Sequence, residues 1–288
     1  MGITIVTPTY NRGYIIENLY FSLCKQTNKN FEWVIVDDGS VDNTKELINK
    51  FIQENKIQIK YFYQKNSGKA LAHNEGVKLA SMELFTCVDS DDCLVENAVE
   101  TILKRWEKIK IDAIGILAKR MTYEGKDITI TNLKDKEIFF LREAYESKKL
   151  KGDTFIIFKT SIIKNYSFPK FNGEKFVPED YLYDQTEKMG KLSFFNKSLY
   201  KCNYLKDGYT KNINKIIANN PKGYRAFLEQ RIELSTRLKN KFINLIKYTS
   251  ISFVIKEDFF HKNYRFMNLL TLIPGYLVYI LRFKNNRK

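Results

Sequence analysis

Through about the first hundred residues, short apolar runs closed by small polar residues alternate with segments whose apolar positions recur every three or four. Ile3 to Thr7 is a β-branched run that stops at Pro8, the pattern of a parallel strand buried on both faces. Ile16, Leu19 and Leu23 then fall at helical spacing between Tyr14 and Thr27, and FEWVIVDDGS gives a second strand closed by Asp, Gly and Ser. Asp42 to Glu54 reads as a helix with Leu47, Ile48, Phe51 and Ile52 on one side. IQIKYFY is a third strand, Lys69 to Ala80 a helix and LFTCV a fourth strand. Strands alternating with helices in this way predict right-handed parallel crossovers and an open α/β sheet. The helix ENAVETILKRWEKI and the strand IDAIGIL follow, regularity weakens to about residue 190, and from Gly223 the alternation of basic and apolar residues predicts helices. The expected divisions are residues 1–100, 101–210 and 211–288.

Open α/β sheets bind ligands beyond the carboxyl ends of their strands. Three polar clusters fall at such ends, TPTYN, DDGS and DSDD, and are expected to line one crevice. In DSDD, Asp89 and Asp91 flank Ser90; on extended backbone both point one way and offer hard oxygen donors to a cation such as Mg²⁺ or Mn²⁺. Mg²⁺ characteristically combines one or two carboxylates with substrate phosphates, which implies a diphosphate ligand. The competing reading is an acidic loop in which Asp92 caps the next helix. In DDGS a carboxylate would accept from a nucleobase or a ribose hydroxyl, although Asp, Gly and Ser also suit an ordinary turn. No GxGxxG follows the first strand, which argues against a dinucleotide site.

Charge sharpens the division of the chain. Its formal net charge is +15, and Lys201 to Lys288 holds 18 basic against 5 acidic residues, so the excess lies in the last third. An anionic partner is expected there, a membrane surface or nucleic acid. Phe266 to Leu281 is a run of 16 uncharged residues interrupted by Pro274 and Gly275, shorter than the roughly 20 apolar residues a spanning helix needs. With Tyr276, Tyr279, Phe283 and the flanking Lys and Arg it fits an anchor lying in an anionic membrane interface; the alternative is a C-terminal helix packed on the protein. Cys24, Cys87, Cys93 and Cys202 follow neither zinc nor disulfide-scaffold spacing, and the N-terminus has no leader-like apolar segment, so a cytoplasmic location is expected.

TIVTPTYNR, FEWVIVDDGSVDNT, NSGKALAHNEGVKLA and TCVDSDDCL resemble, in order and spacing, the nucleotide-binding half of inverting family 2 glycosyltransferases of the GT-A fold. The later FNGEKFVPEDYLYDQ is similar to the acceptor-side segment of bacterial members. The resemblance implies a Rossmann-like, mostly parallel sheet flanked by helices, with a helical extension behind it. It implies that Pro8, Tyr10 and Asn11 contact the uridine, that Asp38 hydrogen-bonds the uracil, and that Lys69 and Asn74 approach the diphosphate or sugar. Asp89 would touch ribose or donor sugar, with Ser90 in the same donor-binding segment, and Asp91, assisted by Asp89, would hold Mn²⁺ or Mg²⁺. Asp180, with Glu179 beside it, would be the catalytic base, although acids after Pro178 also suit a helix start. The implied partners are a UDP-sugar donor, a saccharide or lipid-linked saccharide acceptor and an anionic membrane surface, with the enzyme peripheral on the inner face of the plasma membrane. His73 and His261, the only histidines, do not stand where a histidine metal ligand is expected. The rivals are a nucleotidyltransferase, for which TPTYNRG is a poor phosphate loop, and a nucleic-acid-binding protein, against which the apolar runs in the tail argue.

Overall fold

The computed structural model describes residues 1–109, 113–203, 209–257 and 259–286. Ile111 and Asp112, which the sequence assigns to a strand, and the terminal Arg287 and Lys288 lie outside the described residues. The chain divides into two compact units, Met1–Ser167 with Leu182–Asn203, and Phe168–Tyr181 with Tyr204–Lys288.

The first unit opens with β1 (Ile3–Thr9), α1 (Ile16–Cys24), β2 (Phe31–Asp37), α2 (Thr44–Glu54), β3 (Ile59–Tyr63), α3 (Lys69–Leu79) and β4 (Leu84–Cys87). β5 (Cys93–Leu94), α4 (Ala98–Glu107) and β6 (Ala113–Met121) follow. Next come the short β7 (Ile130–Thr131), β8 (Ile138–Phe139), α5 (Leu141–Glu146) and β9 (Leu150–Lys151), then β10 (Thr154–Lys159) and α6 (Thr160–Ile163). The chain re-enters the unit within α7 (Asp180–Thr186) and ends there with β11 (Lys191–Lys201). The main sheet has the order β3-β2-β1-β4-β10-β6-β11-β5, with β8 also paired to β11.

β1, β2, β3 and β4 pair in parallel, the predicted βαβ arrangement, and β10 runs antiparallel between β4 and β6. β1 and β2 are buried along their full length, which accounts for their largely apolar runs; the buried Glu32 of β2 accepts a hydrogen bond from the Thr4 hydroxyl at 2.6 Å. Pro8 does not end β1 as the sequence suggested; it pairs with Val36 and the strand continues to Thr9. The reason is geometric. Leu84 and Val88 donate to the carbonyls of Gly2 and Val6, so even-numbered residues of β1 face β4, and the β1–β4 register stops at Val6. At Pro8 no ladder bond is lost. α3 lies close on this strand, since a Cβ on Gly76 would stand 2.2 Å from Val6 Cγ1.

The second unit contains α8 (Tyr209–Asn219), α9 (Pro221–Leu234), α10 (Leu238–Ile255) and α11 (Arg265–Arg282). Leu228, Ile232, Leu245, Tyr248, Ile251 and Val254 form its core. The helical reading from Gly223 onward is therefore correct. The segment Phe168–Tyr181 is fastened to α9. Glu174 accepts the first-turn N–H groups of Lys222 (3.0 Å) and Gly223 (2.8 Å), serving the donors that a helix start leaves unsatisfied.

Candidate active site

The three polar clusters of the first unit are tied together at the carboxyl ends of β1, β2 and β4. Asn11, at φ 51°, donates its backbone N–H to Ser40 Oγ (2.9 Å) and accepts the Val41 N–H through Oδ1 (2.9 Å). The Gly13 N–H reaches Asp42 (3.0 Å). Asn11 thus joins the loop after β1 to the loop after β2. Pro8 is buried within β1, and Tyr10 is exposed beside it.

Asp38 is buried just beyond β2, and its carboxylate accepts three hydrogen bonds, from Gln64 Nε2, Ser67 N–H and Gly68 N–H, each at 2.7 Å. It holds the loop that delivers α3. The neighbouring Asp37 is also buried, accepting from the Ser40 N–H and the Tyr61 hydroxyl, both at 2.8 Å. α3 begins at Lys69, whose ammonium lies 2.6 Å from Asp89 Oδ1; both side chains are part-exposed, at 27% and 30%. Asn74 is half-buried further along α3, and His73 is buried there with its ring edge-on to Phe85.

The acidic segment is not extended, as the sequence reading supposed. The Asp92 N–H donates to the Asp89 carbonyl (3.1 Å), closing a turn over Ser90 and Asp91. The turn gathers a third carboxylate: one oxygen each from Asp89, Asp91 and Asp92 lies within 4.8 Å of the others. Asp92 does not cap the next helix, since α4 starts only at Ala98. Ser90 is buried at the tip.

Burial and the charge of Asp89 push Asp91 above its ordinary range, and the same two causes push Asp92 up to about 8. Burial works against the charge of Asp89 also, but the Lys69 ammonium, with Arg120 and Arg12 beyond it, holds that carboxyl below the ordinary range.

Tyr200 of β11 supports the turn from behind. Its hydroxyl donates to Asp92 Oδ2 (2.7 Å) and accepts the Asp89 N–H (3.1 Å), and the Arg120 guanidinium covers its ring at 4.1 Å. The hydroxyl of Tyr123 reaches the Asp91 carbonyl (3.2 Å). The sequence reading missed Arg12, Arg120, Tyr123 and Tyr200. Arg12 stood in a quoted motif, whereas Tyr200 lies on a strand whose periodicity is broken by bulges between Phe195 and Tyr200. Tyr200→Phe is expected to destabilise the fold by about 1–3 kcal/mol, the cost of leaving buried polar groups without their partner. Urea unfolding measures this, and an unchanged midpoint would show that the hydroxyl does not secure the turn.

In the second unit, Asp180 is the first residue of α7, so the Pro-Glu-Asp sequence does start a helix. Asp180 Oδ2 accepts from Arg231 of α9 at 2.9 Å, and Gln230 Nε2 donates to the Tyr181 carbonyl at 2.7 Å. Glu179 and Asp180 are both exposed, and α9 holds the backbone that carries them.

The sequence profile of glycosyl transferase family 2 matches residues 4–168, more than half the chain, and covers every element that positions the acidic turn except β11. The chain belongs to this family. Glycosyltransferase GlyG of Streptococcus pneumoniae serotype 4 is 30% identical over 69% of this chain and 69% of its own length. A Campylobacter jejuni GalNAc(5)-diNAcBac-PP-undecaprenol beta-1,3-glucosyltransferase is 29% identical over 58% of this chain and 54% of its own. The structure of S. aureus TarS 1-349 in complex with UDP-GlcNAc aligns with a TM-score of 0.64 at 20% identity, covering 100% of this chain and 93% of that one. The GT-A fold and glycosyl transfer are thereby established, and the nucleotidyltransferase reading falls. As a family 2 enzyme the protein acts on a glycosyl donor.

Proposed function

We propose that this family 2 enzyme transfers a sugar from a UDP-sugar, with inversion, to a hydroxyl of a growing cell-surface glycan. The observation that carries the reading is the carboxylate turn after β4 facing Lys69 of α3. Two part-exposed carboxylates with a third behind them form a hard-oxygen set whose mutual repulsion a divalent cation would relieve. Asp91, with Asp89 beside it, would hold Mn²⁺ or Mg²⁺, which supplies positive charge to a departing diphosphate. Lys69 would add to that charge, and Asn74 lies on the same helix. Pro8, Tyr10 and Asn11 would face the uridine. A carboxylate has about four acceptor sites, so Asp38 keeps one for a uracil N–H beyond the three it gives to the loop.

In the reaction, the acceptor oxygen forms a bond to the anomeric carbon as the bond to the UDP oxygen breaks on the opposite face. Asp180 takes the acceptor proton, with Glu179 as the neighbouring alternative. The C. jejuni relative is named for an undecaprenol-linked saccharide, which supports a lipid-linked or polymeric acceptor here. Such an acceptor would put the enzyme peripherally on the inner face of the plasma membrane; among the described residues no helix is long and apolar enough to cross it.

The test is a screen of UDP- and GDP-sugars for nucleotide release, with Mn²⁺, with Mg²⁺ and with chelator. One UDP-sugar is expected to release UDP in the presence of a divalent cation. Release from GDP-sugars alone, or equal release in chelator, would overturn the donor or the metal assignment respectively.

A further inference from the structure

A helix on the surface of a protein in water turns its apolar stripe inward and its polar residues outward. α11 packs Met267, Val278 and Tyr279 inward but also turns a stripe of large apolar residues outward. Phe266, Leu269, Leu270, Ile273, Leu277 and Leu281, spaced three or four apart along one side, are all exposed, with Phe266 at 77%, Ile273 at 76% and Leu281 at 81%. The buried side carries Asn268, Thr271 and Gly275. There the Thr271 hydroxyl lies 2.7 Å from Thr249 Oγ1 of α10, Asn268 Nδ2 donates to that same Thr249 oxygen at 3.2 Å, and a Cβ on Gly275 would stand 2.7 Å from the Thr249 Cβ. Small and hydrogen-bonding residues between helices, with large apolar ones outside, is the arrangement helices adopt in lipid. A continuous exposed apolar stripe of this size marks an interaction surface.

The charges at the ends of the helix identify the occupant. Lys262 and Arg265 flank its start, Arg282 and Lys284 its end, all exposed, and no acidic residue occurs from Arg265 to Asn286. Anionic headgroups satisfy both ends at once. A second copy of the chain does not, because pairing two such faces, parallel or antiparallel, sets basic ends against basic ends. At 18 residues α11 is about 27 Å long, short of the roughly 30 Å of a bilayer core, and among the described residues no helix is long and apolar enough to cross a membrane, so a docked α11 would lie flat.

We propose that the outward face of α11 is a membrane-docking surface, with Phe266, Leu270, Ile273 and Leu277 entering the acyl boundary of a leaflet that contains anionic lipid and the basic ends held at its headgroups. This rests on the peripheral-membrane reading above and adds which residues enter the lipid.

Full-length protein is sedimented with vesicles of phosphatidylcholine, with and without phosphatidylglycerol. The native chain is expected to bind the phosphatidylglycerol vesicles. The double variant Leu270→Glu/Ile273→Glu is expected to partition at least about tenfold more weakly, with unchanged melting temperature and UDP affinity. Ile273→Trp gives a second measurement, because brominated lipid is expected to quench its emission beyond that of native Trp33 and Trp106. If the native protein binds while neither variant changes its behaviour, the docking face is wrong but the peripheral reading stands. If the native protein ignores all vesicles, both fall. A dimer that the double variant converts to monomer, without lipid binding, would assign the face to a second copy and overturn the proposal.

Discussion

Asp180→Asn is expected to reduce sugar transfer by about 10²- to 10⁴-fold, the usual loss when a positioned general base is removed, while leaving UDP affinity within a few-fold of native. The split follows from the division of the chain: the candidate donor residues belong to the first unit, whereas Asp180 belongs to the second, on a segment fastened to α9. A loss confined to turnover marks an interaction made in the transition state rather than in donor binding. Arg231 sharpens the experiment, because it holds Asp180 Oδ2 at 2.9 Å and orients the carboxylate. Arg231→Ala should therefore slow transfer less than Asp180→Asn does. Glu179→Gln is the comparison. If it abolishes transfer while Asp180→Asn does not, the base is Glu179, and if both remain active, the pair serves only to start α7.

Asp91→Asn is expected to weaken Mn²⁺-dependent UDP binding by at least about a hundredfold. Losing a group that merely supports a metal ligand typically costs 10- to 100-fold in affinity, so removal of the ligand itself belongs at or above the upper end. The variant also removes one charge from a crowded trio, so without metal the folded protein should be no less stable than native. Calorimetry of UDP binding in Mn²⁺ and in chelator separates the effects. Equal affinity in both conditions, for native protein and variant alike, would remove the cation from the site.

Much of the first unit was legible because its parallel strands are buried on both faces and end in polar clusters, so Ile3, Phe31 and Leu84 announce strands without any pairing information. The turn at Ser90 was not legible: the spacing of Asp89 and Asp91 suggested extended backbone, whereas the hydrogen bond from Asp92 back to Asp89 bends it and recruits Asp92. β10 and β11 went unread since one is antiparallel in a parallel neighbourhood and the other is bulged, and either feature breaks the periodicity that a sequence displays. Tyr200 was invisible with them. In α11 the apolar run was legible, but the polar residues that turn inward were not: Thr271 is buried while Ile273 is exposed.

The place of β4 in the sheet bears on how the protein is made. β4 lies between β1 and β10, and Phe85 pairs with Phe158 across a long stretch of chain. As the polypeptide emerges from the ribosome, β1 is at hand but β10 is not, so β4 waits as an unpaired apolar edge of the kind that recruits other chains. The acidic turn beyond it waits longer, because Tyr200, which ties Asp89 to Asp92, sits on the last strand to be synthesised. Nascent chains stalled before residue 159 should consequently aggregate through β4, and the turn acquires its native support only when the final strand of the sheet has joined.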